Sequence, residues 1–243
     1  MTSFRPVASA LALALALPAA AQDLSEEDVK RLALEAILEN PEIVMQAVDI
    51  LREREEAEAA AAAELAMAEQ SELLYNDPLA PVLGNPEGDV TLVEFFDYNC
   101  PYCKRAAQTV EALIAADPNL RVVYREWPIL GEGSVAASRA SLAARAQGDD
   151  LYEAFHWALM NAPGRLDEAM VMRIARETGL DLDRLQEDMG SDAVDDHIDG
   201  SSTLTDALGI NGTPAFVVDG TLVPGAVPIE DLIGLIASKR EEG

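Results

Sequence analysis

Hydrophobic and polar positions change period several times along the chain, and each change marks an element. From residue 23 to about 74 the period is helical. Val29, Leu32, Ala33, Ala36 and Ile37 share one face behind a Ser25 cap. Asn40 and Pro41 restart a helix with Ile43, Val44, Ala47, Val48 and Leu51 on one side. Beyond Arg52 the chain turns Ala/Glu-rich to Glu72, with high helix propensity and few apolar positions, which predicts a long helical or semi-rigid spacer. The acidic residues break any strict heptad, so the pattern does not predict an extended coiled coil.

Pro78, Pro81, Gly84, Pro86 and Gly88 form a turn-rich boundary. Val90 to Phe96 is an apolar run of strand length, a helix follows from Pro101 to about Asp117, and Leu120 to Trp127 alternates as a second strand. Two strands joined by one helix predict a parallel βαβ unit with its site at the carboxyl end of the first strand. Residues 133 to 208 read as helices throughout, started by Ser134, Asp149, Asp167, Asp181 and Asp192. Ala215 to Val218, Asp219-Gly220 and Thr221 to Val223 then predict a hairpin, and Pro228 opens a last helix. The reading is an α/β domain with a helical subdomain inserted at about 133–208 and a helical stalk in front.

Composition adds a compartment. Arg5, the apolar stretch Val7 to Leu17, Pro18 and Ala19-Ala20-Ala21 have the order of a secretory signal peptide, so residues 1–21 are set aside, with cleavage expected after Ala21. The expected location is outside the cytoplasm, and no later segment has the length and lack of charge of a membrane span. Three regions follow: 1–21 signal peptide, 22–76 helical stalk, 77–243 catalytic domain. The 17 basic and 44 acidic residues give a formal net charge of −27, which opposes nucleic acid and anionic membrane surfaces as partners.

The chemistry is concentrated at Cys100-Pro101-Tyr102-Cys103, the chain's only two cysteines, at the strand-to-helix junction. Pro101 suits the first helical position, so the free N–H groups and positive dipole end of the helix face the Cys100 sulfur. In such motifs a thiol pKa falls from about 8.5 to between about 3.5 and 7.5. Cys100 is the expected nucleophile and Cys103 the resolving thiol. A structural disulfide and half of a metal site are the alternatives. Only His156 and His197 could join the cysteines as soft ligands, so no metal is assigned and no cofactor is expected. Both histidines fall in the helical insert and read as structural or exposed.

The stretch from Glu94 through Cys100-Pro101-Tyr102-Cys103 to Lys104, together with Gly212-Thr213-Pro214, resembles the DsbA-type thioredoxin-like family, and most nearly its ScsC-like periplasmic thiol-disulfide proteins. The resemblance covers about 78 to 240. It implies a thioredoxin-like fold in which Thr213-Pro214 is a cis-proline loop facing the cysteines and pairing with an extended substrate segment. It also implies that Glu94 is a buried acid near the resolving sulfur, with a raised pKa suited to taking the Cys103 proton. Lys104 is placed near the start of the active-site helix. The Pro-Tyr dipeptide departs from the Pro-His of strongly oxidising DsbA, and the lost donor implies a less oxidising couple.

These features lead to a disulfide isomerase acting on disulfide-containing or unfolded secreted proteins, served by a membrane redox partner. Homo-oligomerisation through residues 23–74, as a trimer in line with the ScsC-like subgroup, would gather several sites around one client. The alternatives are a monomeric dithiol oxidase and a copper-handling thiol protein, since thiolates suit Cu(I).

Overall fold

The computed structural model describes residues 25–242; the signal-peptide reading lies outside them. The chain divides into two compact units between Arg54 and Glu55. In the first, α1 (Glu26–Glu39) is capped by the Ser25 hydroxyl, which accepts from the Asp28 N–H, and carries no buried residue. Asn40 closes α1, and α2 (Glu42–Glu69) begins two residues later.

In the second unit the C-terminal part of α2 leaves the spacer pattern. Ala63 and Met67 are buried there, with Leu74 of α3 (Ser71–Asn76). They pack against Val93, Phe95, Val123, Ala215 and Val217, the odd-numbered positions of three strands. An Ala-rich stretch can therefore be a buried helix where its small side chains allow close approach to a sheet.

Among the described residues five strands form one sheet in the spatial order β1 (Val82–Gly84), β3 (Leu120–Glu126), β2 (Val90–Phe96), β4 (Ala215–Val218), β5 (Thr221–Pro224). β2 and β3 are parallel, joined by α4 (Pro101–Ala116). β4 and β5 form the hairpin, antiparallel to β2 through β4. β1 pairs antiparallel with β3 inside the stretch that the sequence reads as turns. With three residues it is too short to display alternation, and only its partner makes it a strand.

The insert holds α5 (Glu132–Arg145), α6 (Asp149–Asn161), α7 (Glu168–Thr178), α8 (Leu182–Asp188) and α9 (Asp192–Leu208), with α10 (Ile229–Glu242) last. Ser134 does not cap α5, contrary to the sequence reading. The helix starts earlier, behind Gly131 at φ 105°, and Ser134 is buried inside it. Asp167 and Asp181 do cap α7 and α8 through their carboxylates. On the second sheet face, Leu92, Phe96, Leu120, Val122 and Tyr124 pack with α4, α10 and the insert.

One ion cluster ties this unit together from distant parts of the chain. The fully buried Arg125 pairs with Asp77 and donates to the Leu73 and His197 carbonyl oxygens, both at 3.3 Å. His197 sets Nδ1 2.8 Å from Asp77 Oδ2 and Nε2 2.9 Å from Glu126 Oε2. Burial opposes the imidazolium, but these two carboxylates outweigh it and raise the His197 pKa. Both histidines are thus buried and structural: His156 lies in an aromatic cage with Nδ1 2.8 Å from the Tyr98 hydroxyl. Asp77→Asn is expected to cost about 3–5 kcal/mol in denaturant unfolding at neutral pH, because it removes the carboxylate paired directly with the buried Arg125 guanidinium.

Candidate active site

The end of β2 and the start of α4 are shaped by a short turn. The Asp97 carboxylate accepts from the Asn99 N–H at 2.7 Å, and the Asp97 carbonyl oxygen accepts from the Cys100 N–H at 3.0 Å. Cys100 then takes the N-cap position (φ −78°, ψ 118°) with Pro101 in the first helical turn, where its missing N–H costs nothing. The Cys100 sulfur accepts from the Cys103 N–H at 3.4 Å. Both cysteines are free thiols.

The two sulfurs have opposite electrostatics. A hydrogen bond from the Cys103 thiol is the largest influence on Cys100; it outweighs burial and, with contacts from Thr213 and the helix N–H groups, lowers the Cys100 pKa to about 5. Cys103 is fully buried, and burial, the hydrogen bond it gives to Cys100 and the Glu94 charge hold its thiol far above the ordinary range. One sulfur is a thiolate at neutral pH and the other keeps its proton.

Across from them the Thr213-Pro214 peptide bond is cis, and the Thr213 carbonyl oxygen lies 3.3 Å from the Cys100 sulfur, an acceptor for its proton only while Cys100 is a thiol. A residue 113 positions away in sequence is thereby brought into the site. Pro214 is buried and carries no N–H, and β4 begins directly after it. Glu94 points to the same side of the sheet as Phe96, fully buried, with neither carboxylate oxygen hydrogen-bonded. Burial, and next the Cys100 charge, raise its pKa to about 8. Tyr102 projects outward at 58% exposure with the Arg105 guanidinium 4.3 Å over its ring. Its side chain gives Cys100 no hydrogen bond.

Sequence reasoning misses the roles of three residues of the site. Asp97 and Asn99 fix the turn before Cys100, and the Asp97-Tyr98-Asn99 spacing is an Asx-turn signal that flags the first. Lys104 does lie near the helix start, but its ammonium donates to the Ala162 and Gly164 carbonyl oxygens at 2.6 and 3.1 Å, which no local pattern indicates. Among the described residues no cluster of three or more potential metal ligands occurs.

A paired dithiol at a helix N-terminus, faced by a cis-proline loop on a βαβ-plus-hairpin sheet, defines a thioredoxin-fold site suited to thiol-disulfide exchange. Residues 91–237 match the DSBA-like thioredoxin domain, and the chain belongs to that family. A thioredoxin-like oxidoreductase from Silicibacter pomeroyi DSS-3 is 59% identical, with a TM-score of 0.68 over 70% of this chain and 97% of that one. A linker-deletion mutant of Proteus mirabilis ScsC is 29% identical, with a TM-score of 0.70 over 93% of this chain and 100% of that one. Among curated proteins, the Na(+)/H(+) antiporter NhaA 1 of Salinispora arenicola is 32% identical over 161 residues, which are 65% of this chain and 24% of that protein. The chain spans about a quarter of the length of the curated relatives it matches. No helix among its described residues is long and apolar enough to cross a membrane.

Proposed function

We propose that the protein is a periplasmic thiol-disulfide oxidoreductase working mainly as a disulfide isomerase on secreted proteins. The observation that carries the chemistry is the contrast between an acidic Cys100 thiol and a buried, protonated Cys103 within one hydrogen-bonded pair. Cys100 thiolate attacks a client disulfide, forming a mixed disulfide and expelling one client thiolate. That client thiolate can attack a different disulfide, and rearrangement ends when Cys100 is released unchanged. Where it is not released, Cys103 gives its proton to Glu94 and attacks the Cys100 sulfur. The protein is then oxidised, the second client thiol leaves, and a membrane partner restores the dithiol.

Glu94 suits this timing. In the reduced protein the Cys100 charge helps to keep Glu94 protonated. Once Cys100 is tied up in a mixed disulfide that repulsion disappears and the Glu94 pKa falls, though burial, the larger cause, still holds it raised; a larger share of Glu94 is then ionised and able to act as the base. An extended client segment would lie along Thr213, whose neighbour Pro214 leaves no competing donor.

The isomerase assignment rests on the helical region up to Arg54 acting as an oligomerisation stalk; the sequence reading draws the stalk over 22–76, but Ala63, Met67 and Leu74 pack on the sheet of the unit that begins at Glu55. Val29, Leu32, Ile37, Val44, Val48 and Leu51 are exposed apolar side chains along α1 and the start of α2, a density that favours burial against further copies of the chain. A trimer would hold several thiolates near one client and raise their effective concentration. The second reading, a monomeric oxidase, is favoured by the Cys100 pKa of about 5, since stabilising the reduced thiolate makes the disulfide more oxidising.

Reactivation of a scrambled-disulfide test protein by residues 22–243 and by the same chain starting at Glu55, the second compact unit, separates the two. Activity of the long form that the short form lacks, with trimer mass in light scattering, is the expected outcome. Oxidation of a reduced peptide by both, without reactivation by either, would establish the oxidase instead.

A further inference from the structure

The segment between α6 and α7 is fastened to the dithiol from both sides. The Asn99 amide, one residue before Cys100, donates through Nδ2 to the Leu166 carbonyl oxygen at 3.1 Å and accepts through Oδ1 from the Leu166 N–H at 2.7 Å. Both bonds are buried, and Leu166 is itself buried. Lys104, one residue past Cys103, binds the Ala162 and Gly164 carbonyl oxygens of the same segment. A third tie runs from the Arg165 guanidinium to the Leu130 carbonyl oxygen, while the Leu130 N–H donates to Asp97 Oδ2 at 2.9 Å.

Packing leaves this arrangement no slack. A methyl group at Gly133 would overlap the Leu166 carbonyl oxygen and lie 3.1 Å from Asn99 Nδ2. Residue 99 sets the direction in which the chain enters α4, and so decides whether the Cys100 sulfur falls on the Cys103 N–H. An amide that pairs with both polar groups of one peptide residue fixes translation and rotation together, as a single hydrogen bond does not.

We propose that the Ala162–Leu166 segment of the helical insert is a positioning element for the nucleophile, with Asn99 as its principal contact and Lys104 as the second. The inserted subdomain then acts on the redox centre as well as covering the sheet. Asn99 touches no reacting atom; it works through the placement of Cys100. The inference rests on Cys100 being the reacting thiol.

The test is titration of thiolate absorbance near 240 nm in the full-length reduced protein. Asn99→Ala is expected to move the Cys100 midpoint up by at least one pH unit, since the sulfur loses its alignment on the helix N–H groups. Gly133→Ala, which pushes on the Leu166 carbonyl oxygen beside Asn99 Nδ2 and changes no charge, is expected to move it in the same direction. Asn85→Ala is the control: it removes an amide-to-carbonyl tie to Pro118 of similar kind, away from the dithiol, and should lower the melting temperature without moving the midpoint. A folded Asn99→Ala protein with the wild-type midpoint overturns the inference. If Asn99→Ala does not fold, an unmoved midpoint in Gly133→Ala overturns it equally. A wild-type protein with no acid-shifted thiol would overturn the reading of Cys100 itself, which is a separate and prior result.

Discussion

Cys100→Ser is expected to reduce disulfide exchange to the uncatalysed background, whereas Cys103→Ser should still attack and accumulate mixed disulfides with clients. The asymmetry follows from protonation, since both sulfurs are buried but only Cys100 has a lowered pKa. Cys103 is fully enclosed and holds its proton, so it cannot substitute for the outer sulfur. The pH dependence of the attack is more telling than its size at pH 7. With a pKa of about 5, Cys100 is almost entirely thiolate at pH 7, against about 3% for a free cysteine of pKa about 8.5. Nucleophilicity falls with pKa at a Brønsted slope of about 0.4–0.5, so the same drop costs roughly 40-fold in intrinsic rate. The two effects nearly cancel at neutral pH.

At pH 5.5 the balance changes. Roughly three quarters of Cys100 remains ionised, against about one part in a thousand of a free thiol, leaving a net advantage of roughly 20-fold. Alkylation of the reduced wild-type protein, whose enclosed and protonated Cys103 does not compete, followed from pH 4 to 8 beside free cysteine, should show that advantage growing as pH falls. A constant ratio would mean that the Cys100 thiol is not acid-shifted.

Legibility in the sequence depends on how far apart the interacting residues are. The βαβ unit and hairpin can be read because each strand carries its own apolar run, and the dithiol because Pro101 and two cysteines at a strand-to-helix junction form one local motif. Pairing Thr213-Pro214 with it needs the family resemblance, as nothing near residue 213 refers to residue 100. The three-residue β1 hides among turn formers, since its strand character comes from β3. Ser134 misleads because an N-cap residue type also serves inside a helix when a positive-φ glycine, Gly131, supplies the entry turn. Arg125 and His197 lie 72 positions apart, and that they share Asp77 becomes visible only when the chain is folded. Asn99 and Lys104 belong to the same group: their ties run to backbone atoms at 162–166, and a backbone acceptor leaves no trace in residue type.

Glu94→Gln is expected to slow resolution of the mixed disulfide by about 10²-fold, the lower end for loss of a general base, while leaving the first attack by Cys100 unchanged. The same substitution should alter stability in a pH window set by the shift itself. Glu94 has a folded pKa of about 8 against 4.5 for the unshifted group, so between these values the folded chain holds a proton that the unfolded chain has released. Stability from this residue is therefore fully present below pH 4.5, falls as pH rises, and is lost beyond about pH 8. The fall amounts to roughly 3–5 kcal/mol for a carboxyl enclosed without partners. Cys100 works in the opposite sense, because its depressed pKa adds stability to the reduced protein as pH rises above about 5. The difference between wild type and Glu94→Gln, measured by denaturant unfolding of the reduced proteins, removes most of the Cys100 contribution because both retain that thiol. The wild type should lose stability relative to Glu94→Gln from pH 4.5 to 8. Parallel curves would mean that Glu94 is already ionised in the folded protein, and a carboxylate without its proton reservoir near pH 8 could not time its deprotonation to the loss of the Cys100 charge.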